Sequence, residues 1–225
     1  MNENGVTAVE DTASVFLDGI TDYEKVKDRI CYRLVNTERS RDFLSTAPHR
    51  DFMDLSAAYY VCFELPDGRF ASAAVTDRLA ANWKVDEAEL WNAAFENTQR
   101  IFPAHTGTLR SELAGLASLG GEEYTAAEAE NNGIAIATNE MKRYGAGSIL
   151  YDGVLTRLTD IIGDKIFLLP SSVHEFLAVA DDGMTDPGTL AGMVRSINTE
   201  IVSDAEVLSD HVYRYEKGGE ITIAG

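Results

Sequence analysis

Apolar residues recur along this chain with two spacings, one of three to four positions and one of two. The places where the spacing changes mark the predicted elements. From Thr21 the positions Tyr23, Val26, Ile30 and Leu34 repeat at threes and fours, the signature of one buried helical stripe. Glu24 stands three residues after Thr21, the spacing of a capping box, so a helix is predicted from Thr21. A short second helix is predicted over Arg39 to Ser45, and Pro48 breaks the pattern after it. Leu55 to Leu65 is crowded with Tyr, Val and Phe and reads as the strongest strand. Pro66-Asp67-Gly68 then turns the chain into a second strand, Phe70 to Val75, because Pro presets one turn dihedral and Gly accepts a positive φ. Asp86 and Glu89 repeat the capping-box spacing and open a helix to about Ile101. Its predicted inner face is Trp91, Ala94, Phe95, Thr98 and Phe102, and Pro103 ends it.

The second half alternates in the same way. Thr108 to Leu119 reads as a helix, Gly120 to Gly133 as a mobile acidic surface loop, and Ile134 to Thr138 as a short buried strand. Val154 to Ile162 is amphipathic at helical spacing and closes on Gly163. Lys165 to Leu169 and Val173 to Val179 read as two strands separated by Pro170. Asp186 as N-cap and Pro187 as first residue start a helix that points Leu190, Met193, Val194, Ile197 and Ile201 inward. His211 to Tyr215 and Glu220 to Ile223 form a predicted hairpin around Gly218-Gly219. Strands come in hairpins and helices in separate runs. The predicted class is therefore α+β, a mixed or mainly antiparallel sheet with helices packed on it. Residues 1–20 read as a loose lead-in, and residues 21–225 as a single domain with a soft division near 104–132.

Composition narrows the function classes. At 225 residues with 45% hydrophobic and 25% charged positions, the chain can bury a core without a metal or disulfide staple. Cys31, in a predicted helix, and Cys62, in a predicted strand, have apolar neighbours and read as buried thiols of a reducing compartment. The start of the chain has no basic-then-apolar signal pattern, and no apolar run is long enough for a membrane span. A cytoplasmic location is expected. The net charge of −18, from 37 acidic and 19 basic residues, argues against direct binding to nucleic acid or an anionic membrane. It permits the opposite relation, in which an acidic surface imitates a phosphate backbone and occupies a nucleic-acid-binding protein. The charge is uneven. His174 to Asp210 holds eight acidic residues against Arg195 alone, whereas Lys25, Arg29 and Arg33 form a basic stripe at helical spacing.

Candidate chemistry centres on LLPSSVHEFLAV, Leu168 to Val179, where Ser171, Ser172, His174 and Glu175 interrupt an apolar run. Polar groups there need partners or a task, since burying one unpaired costs roughly 1–3 kcal/mol. In a strand Ser172 and His174 share a face and Glu175 points away, which is poor geometry for a hydrolase triad. No G-x-S-x-G elbow is present. The four histidines fall in no metal-binding spacing, although His174, Glu175, Asp210 and His211 would converge if their strands were neighbours. Gly145-Ala146-Gly147-Ser148 lacks the endings of phosphate loops and reads as a tight turn or close packing contact. No catalytic set, metal or cofactor is assigned. The expected binding site is a polar strip of Asn139, Ser171, Ser172, His174, Glu175, Asp210 and His211.

Several phrases carry a family likeness: LVNTERSRDFLSTAPHRDFMDL, the run VTDRLAANWKVDEAELWNAAFENTQRIFP, YGAGSILYDGVL, LLPSSVHE and LSDHVYRYE. In this order they resemble an uncharacterised domain-of-unknown-function family of anaerobic Gram-positive gut bacteria, over about Thr21 to Glu216. The resemblance implies a bacterial cytoplasmic protein carried on a mobile element, and a longer N-terminal segment than this chain has. It brings no catalytic residue. The function expected from residues and resemblance together is a non-enzymatic, acidic binding or regulatory protein. It would act through a protein partner, as in a mobile-element-encoded inhibitor of a host nucleic-acid enzyme. The alternative is a hydrolase or metal-dependent enzyme using the LPSSVHE strip.

Overall fold

A computed structural model describes residues 19–65, 68–112 and 133–225. The lead-in up to residue 18, the Pro66-Asp67 turn, the later part of the helix predicted over Thr108 to Leu119 and the acidic loop up to residue 132 lie outside the described residues. The elements in chain order are α1 (Tyr23–Val26), a 3-10 turn (Lys27–Arg29), β1 (Ile30–Asn36), α2 (Arg41–Leu44), β2 (His49–Phe52), β3 (Leu55–Glu64), β4 (Phe70–Ala74), α3 (Asp77–Trp83) and α4 (Glu87–Ile101). They continue with β5 (Ala104–Thr108), β6 (Ile134–Asn139), a 3-10 turn (Gly145–Leu150), α5 (Val154–Ile162), β7 (Lys165–Ser172), β8 (Glu175–Ala180), α6 (Pro187–Glu200), β9 (Tyr213–Glu216) and β10 (Thr222–Ile223). The fold is α+β with antiparallel sheets. No helix among the described residues is long and apolar enough to cross a membrane.

Two compact units divide the chain. The first holds residues up to Tyr32, Arg41–Arg50 and Ala58–Thr98; the second holds Arg33–Ser40, Asp51–Ala57 and Gln99–Gly225. One sheet has the order β1-β3-β2, with β4 antiparallel to the later part of β3. The other sheet has the order β10-β9-β7-β8-β6-β5. Within the first unit, Ile30, Tyr32, Tyr59, Val61 and Leu90 are buried. Arg50 forks onto Glu87 at 3.0 and 2.9 Å and lies 4.7 Å over the Trp91 ring, while Tyr59 donates to the same carboxylate. Within the second unit, Phe167, Ala191, Val194 and Val212 form a buried cluster beneath α6.

Three sequence expectations are corrected and one strand was not foreseen. The helix predicted from Thr21 ends at Val26, and Ile30–Asn36 is a strand, so Cys31 is a strand residue and Lys25, Arg29 and Arg33 share no helical face. Asn97 shows why: its amide donates to the carbonyls of Lys27 at 2.7 Å and Ile30 at 3.1 Å, which a continuing helix would need for itself. Ala104–Thr108, before the predicted helix at Thr108, is strand β5, paired with β6. Pro170 does not separate two strands. It lies within β7 opposite Phe176, where the register shifts and beyond Leu168, the last residue paired to β9. Its missing N–H is tolerated at such a bulge. The β7–β8 turn falls at Val173-His174 instead. Finally, α6 begins as predicted, with Asp186 accepting from the Thr189 backbone N–H at 2.9 Å. Its buried residues are Ala191, Val194 and Asn198, whereas Met193, Ile197 and Ile201 are exposed.

The Gly145 turn is a close packing contact. A Cβ there would stand 2.6 Å from the Asn139 backbone nitrogen and 2.7 Å from the His174 carbonyl oxygen, and would also strike the Thr138 hydroxyl. Two of those atoms are backbone and cannot swing aside. Gly145→Ala is therefore expected to destabilise the protein at or above the ~1–3 kcal/mol typical of overpacking, measured as a lower midpoint in urea with an unchanged slope. A wild-type midpoint would show that this contact relaxes freely.

Candidate functional site

The polar residues of the second unit gather into two hydrogen-bonded groups. The first surrounds the Gly145 turn. The His174 ring accepts from the Tyr144 backbone N–H through Nδ1 at 3.0 Å, so its Nε2 carries the proton that faces Glu206 at 3.2 Å. Tyr144 packs against the imidazole at 5.5 Å, and Arg33 lies 3.9 Å over the Tyr144 ring. Ser172 Oγ accepts from the His174 backbone N–H at 3.1 Å, and Thr138 donates to the His174 carbonyl at 2.8 Å. Asn139 closes its own turn, accepting from the Arg143 N–H and donating to the Arg143 carbonyl. Hydrogen bonds from Ser203 and His174 hold Glu206 below the usual carboxylate range. Both nitrogens of His174 are thus committed, and the ring ties three separated stretches of chain together. Ser171 and Ser172 end β7, and Glu175 pairs with Ser172 as β8 begins.

The second group is built on Asp54. The β2–β3 connection is only Met53 and Asp54, and Met53 takes a left-handed backbone, φ 58°. That conformation costs a residue with a Cβ roughly 1–2 kcal/mol. It sets Asp54 where Ser209 Oγ donates to it at 2.6 Å, Tyr213 Oη at 2.7 Å and His211 Nδ1 at 3.1 Å. Ser209 is fully buried and also accepts from the His211 backbone N–H at 2.9 Å. Burial pushes the Asp54 carboxyl up, but the bonds from Ser209, Tyr213 and His211 outweigh it and hold the group below the usual carboxylate range. Burial also pushes the Tyr213 phenol up, so it remains a donor.

An ionised carboxylate can only accept, so the His211 proton facing Asp54 sits on Nδ1. In the neutral ring the lone pair of Nε2 then points away from it. The His211 side chain is 47% exposed. It lines a polar cleft of about 350 Å³ with Asn36, Thr37, Arg39, Asp54 and Asp210. The cleft walls are themselves ordered. Asn36 accepts from the Arg39 backbone N–H at 2.9 Å and donates to the Leu208 carbonyl at 3.0 Å. Ser56 donates to Asp51 at 2.7 Å, so Thr37 donates to Ser56 across 2.8 Å. Arg39 reaches Asp210 at 3.6 Å, and Asn198 donates to the same carboxylate at 2.8 Å. Chemically this is a fixed imidazole acceptor in a partly enclosed, largely acidic cleft.

The strip expected from sequence is therefore placed in two parts. Asn139, Ser172 and His174 meet at the Gly145 turn, with Ser171 and Glu175 beside them, while Asp210 and His211 belong to the Asp54 group. Sequence reading missed Asp54, Ser209, Tyr213, Asn36 and Arg39. The available signal was Asp54 immediately ahead of the apolar strand Leu55–Glu64, a position that sets an acid at a strand end. Among the described residues, no three His, Cys, Asp or Glu side chains gather in a metal-ligating group.

The fold and its polar groups define an α+β protein with two hydrogen-bonded polar centres, one closed and one open to a cleft. By sequence the chain belongs to a family of unknown function, DUF5688, whose profile matches residues 4–217. No curated protein and no solved structure matches it.

Removing the Asp54 carboxylate strands three donors at once. Asp54→Ala is expected to cost about 2–3 kcal/mol or more by chemical denaturation, since each buried donor left unpaired costs roughly 1–3 kcal/mol. The pH dependence has a defined sign. A carboxyl lowered in the folded state contributes stability that is present above its unfolded pKa and lost as pH falls through the folded one. Wild type should thus lose part of its advantage over Asp54→Asn as the solution is acidified below the ordinary carboxylate range. A difference that stays flat over that interval would show that Asp54 is not the acceptor described.

Proposed function

We propose that this protein is a binding or regulatory protein that acts through a protein partner, and that the outer face of α6 makes the contact. One observation carries the reading. Met193 and Ile197 stand at i and i+4 on one side of the helix, Ile201 follows at its C-cap, and the three are 56%, 46% and 77% exposed. Met184, just ahead of the helix, is 88% exposed. Single exposed apolar residues are ordinary, but a row of them on a surface is a recognised feature of interaction sites. The opposite side of α6 already packs on Phe167 and Val212 through Ala191 and Val194. The outer row is therefore surplus to the fold's own core.

The surroundings describe the partner. His174 to Asp210 contributes eight carboxylates against Arg195, so the apolar row lies in an acidic stretch. A complementary surface is an apolar groove with a basic rim, of the kind that receives one face of an amphipathic helix. The nucleic-acid-binding face of an enzyme is cationic by necessity, which makes a host nucleic-acid enzyme the partner class that this charge favours. Inhibition of such an enzyme is the regulatory role proposed. The unbranched Met193 side chain adapts to irregular grooves and suits a surface of this sort.

The test uses wild type and the double variant Met193→Glu/Ile197→Glu as baits in host lysate over a range of salt. Both positions are exposed, so the variant should keep the wild-type circular dichroism and melting midpoint. Wild type is expected to retain a saturable basic protein at low salt, with roughly tenfold or greater loss for the variant. Equal retention by both baits, or self-association of wild type in place of a second protein, would rule this reading out.

A further inference from the structure

The cleft that holds His211 adjoins a second space. An apolar cavity of about 450 Å³ is walled by Leu34, Leu55, Ile149, Leu168, Phe176 and Tyr213, all of them buried. Met53 lines both the cavity and the cleft. Tyr213 faces the cavity, and its hydroxyl donates to Asp54, which faces the cleft. Exposed Met53 and Glu220 also line the cavity, so the space opens to solvent, and its size falls in the roughly 300–1,000 Å³ range of small-molecule sites.

The two spaces differ in chemistry. The cavity offers dispersion contacts and an apolar lining, with Glu220 the only charged residue among the described residues that line it. The cleft offers, beside its carboxylates, the outward nitrogen of His211, whose tautomer is set by the ionised Asp54. The charges around that nitrogen are Glu38, Asp54 and Asp210 against Arg39, and Arg39 is itself drawn to Asp210 at 3.6 Å and Asp204 at 3.9 Å. A surplus of carboxylates in a partly enclosed cleft raises the local concentration of cations and repels anions. Met53 stands at the junction in its left-handed backbone, with a flexible thioether chain that is 46% exposed. Strained backbone of this kind concentrates at ligand sites.

We propose that the second unit binds a small hydrophobic amine, its apolar body in the cavity and its ammonium group in the cleft, donating an N–H to His211 Nε2. Met53 is the shared wall across which head and body meet. The site is separate from the outer face of α6, and neither reading requires the other.

The probes are n-octylamine as its hydrochloride, 1-octanol and sodium octanoate, each titrated into the full chain by calorimetry near neutral pH. Octylamine is expected to bind saturably at one site, with the alcohol and the carboxylate roughly tenfold or more weaker. His211→Phe removes the acceptor, and Met53→Lys places a competing cation at the junction. Met53 is 46% exposed, so Met53→Lys should melt like wild type without ligand, whereas His211→Phe also removes a donor to Asp54 and should melt lower while keeping the wild-type circular dichroism at the titration temperature. Both should bind octylamine roughly tenfold or more weakly. No octylamine binding, equal or tighter binding of octanol or octanoate, or undiminished octylamine binding in both variants would overturn the proposal.

Discussion

The Asp54 carboxylate is the constraint from which the geometry of the second unit follows. It is a charged group withdrawn partly from water, and such a group is tolerable only when its lone pairs are taken up. Ser209, His211 and Tyr213 take them up from one short stretch of chain. That stretch is consequently held against the β2–β3 turn, and the last of the three donors is the first residue of β9. The same carboxylate fixes which nitrogen of His211 carries the proton. It also gives a reason for the left-handed Met53, because a two-residue turn that delivers the acid to three donors leaves its other residue little choice of backbone.

The two histidines show how alike ingredients end in different roles. His174 and His211 each face a carboxylate. His174 is bonded at both nitrogens, to a backbone N–H and to Glu206, so its ring is a strut. His211 is held through one nitrogen and turns the other toward a cleft. A ring with a spare acceptor can bind or move a proton, whereas a ring committed at both nitrogens must first break a structural bond. Chemistry in this unit therefore belongs with His211, although the serine-rich phrase around His174 is the more conspicuous in the sequence.

Much of the fold was legible because hydrophobic spacing and turn chemistry agreed. The Asp86 and Asp186 caps, the β3–β4 pair, α5 with Gly163 and the C-terminal hairpin all lie where the residues place them. The misreading at Ile30 has an arithmetic cause. Val26, Ile30 and Leu34 are four apart, and a spacing of four satisfies both a helical stripe and one face of a strand. What decided between them was Asn97, far along the chain, taking the carbonyls that the helix required. The outward row of α6 was misread because two apolar sides of a helix look alike without knowledge of which one meets a sheet. Asp54 was passed over because an acid in a turn reads as solvated. Its three donors are about 155 residues away or more, and such pairings leave no local trace.

Helix α6 carries the exposed apolar row on one side and a residue bonded to the cleft on the other. Its inner residue Asn198 donates to the Ser209 carbonyl at 2.9 Å and to Asp210 at 2.8 Å. Ser209 in turn donates to Asp54, and Asp210 lines the cleft. The outer residues Met193 and Ile197 sit on the same helix, with Ile201 at its C-cap, and Ile197 is the immediate neighbour of Asn198. A protein seated on the outer row that moved α6 would therefore have to carry Asn198 with it, and would strain the two bonds that hold the floor of the cleft. Coupling between separate sites requires an element whose position both of them bias. In this unit α6 meets that description, since its outer side is open and its inner side is bonded to the residues that order Asp54 and His211.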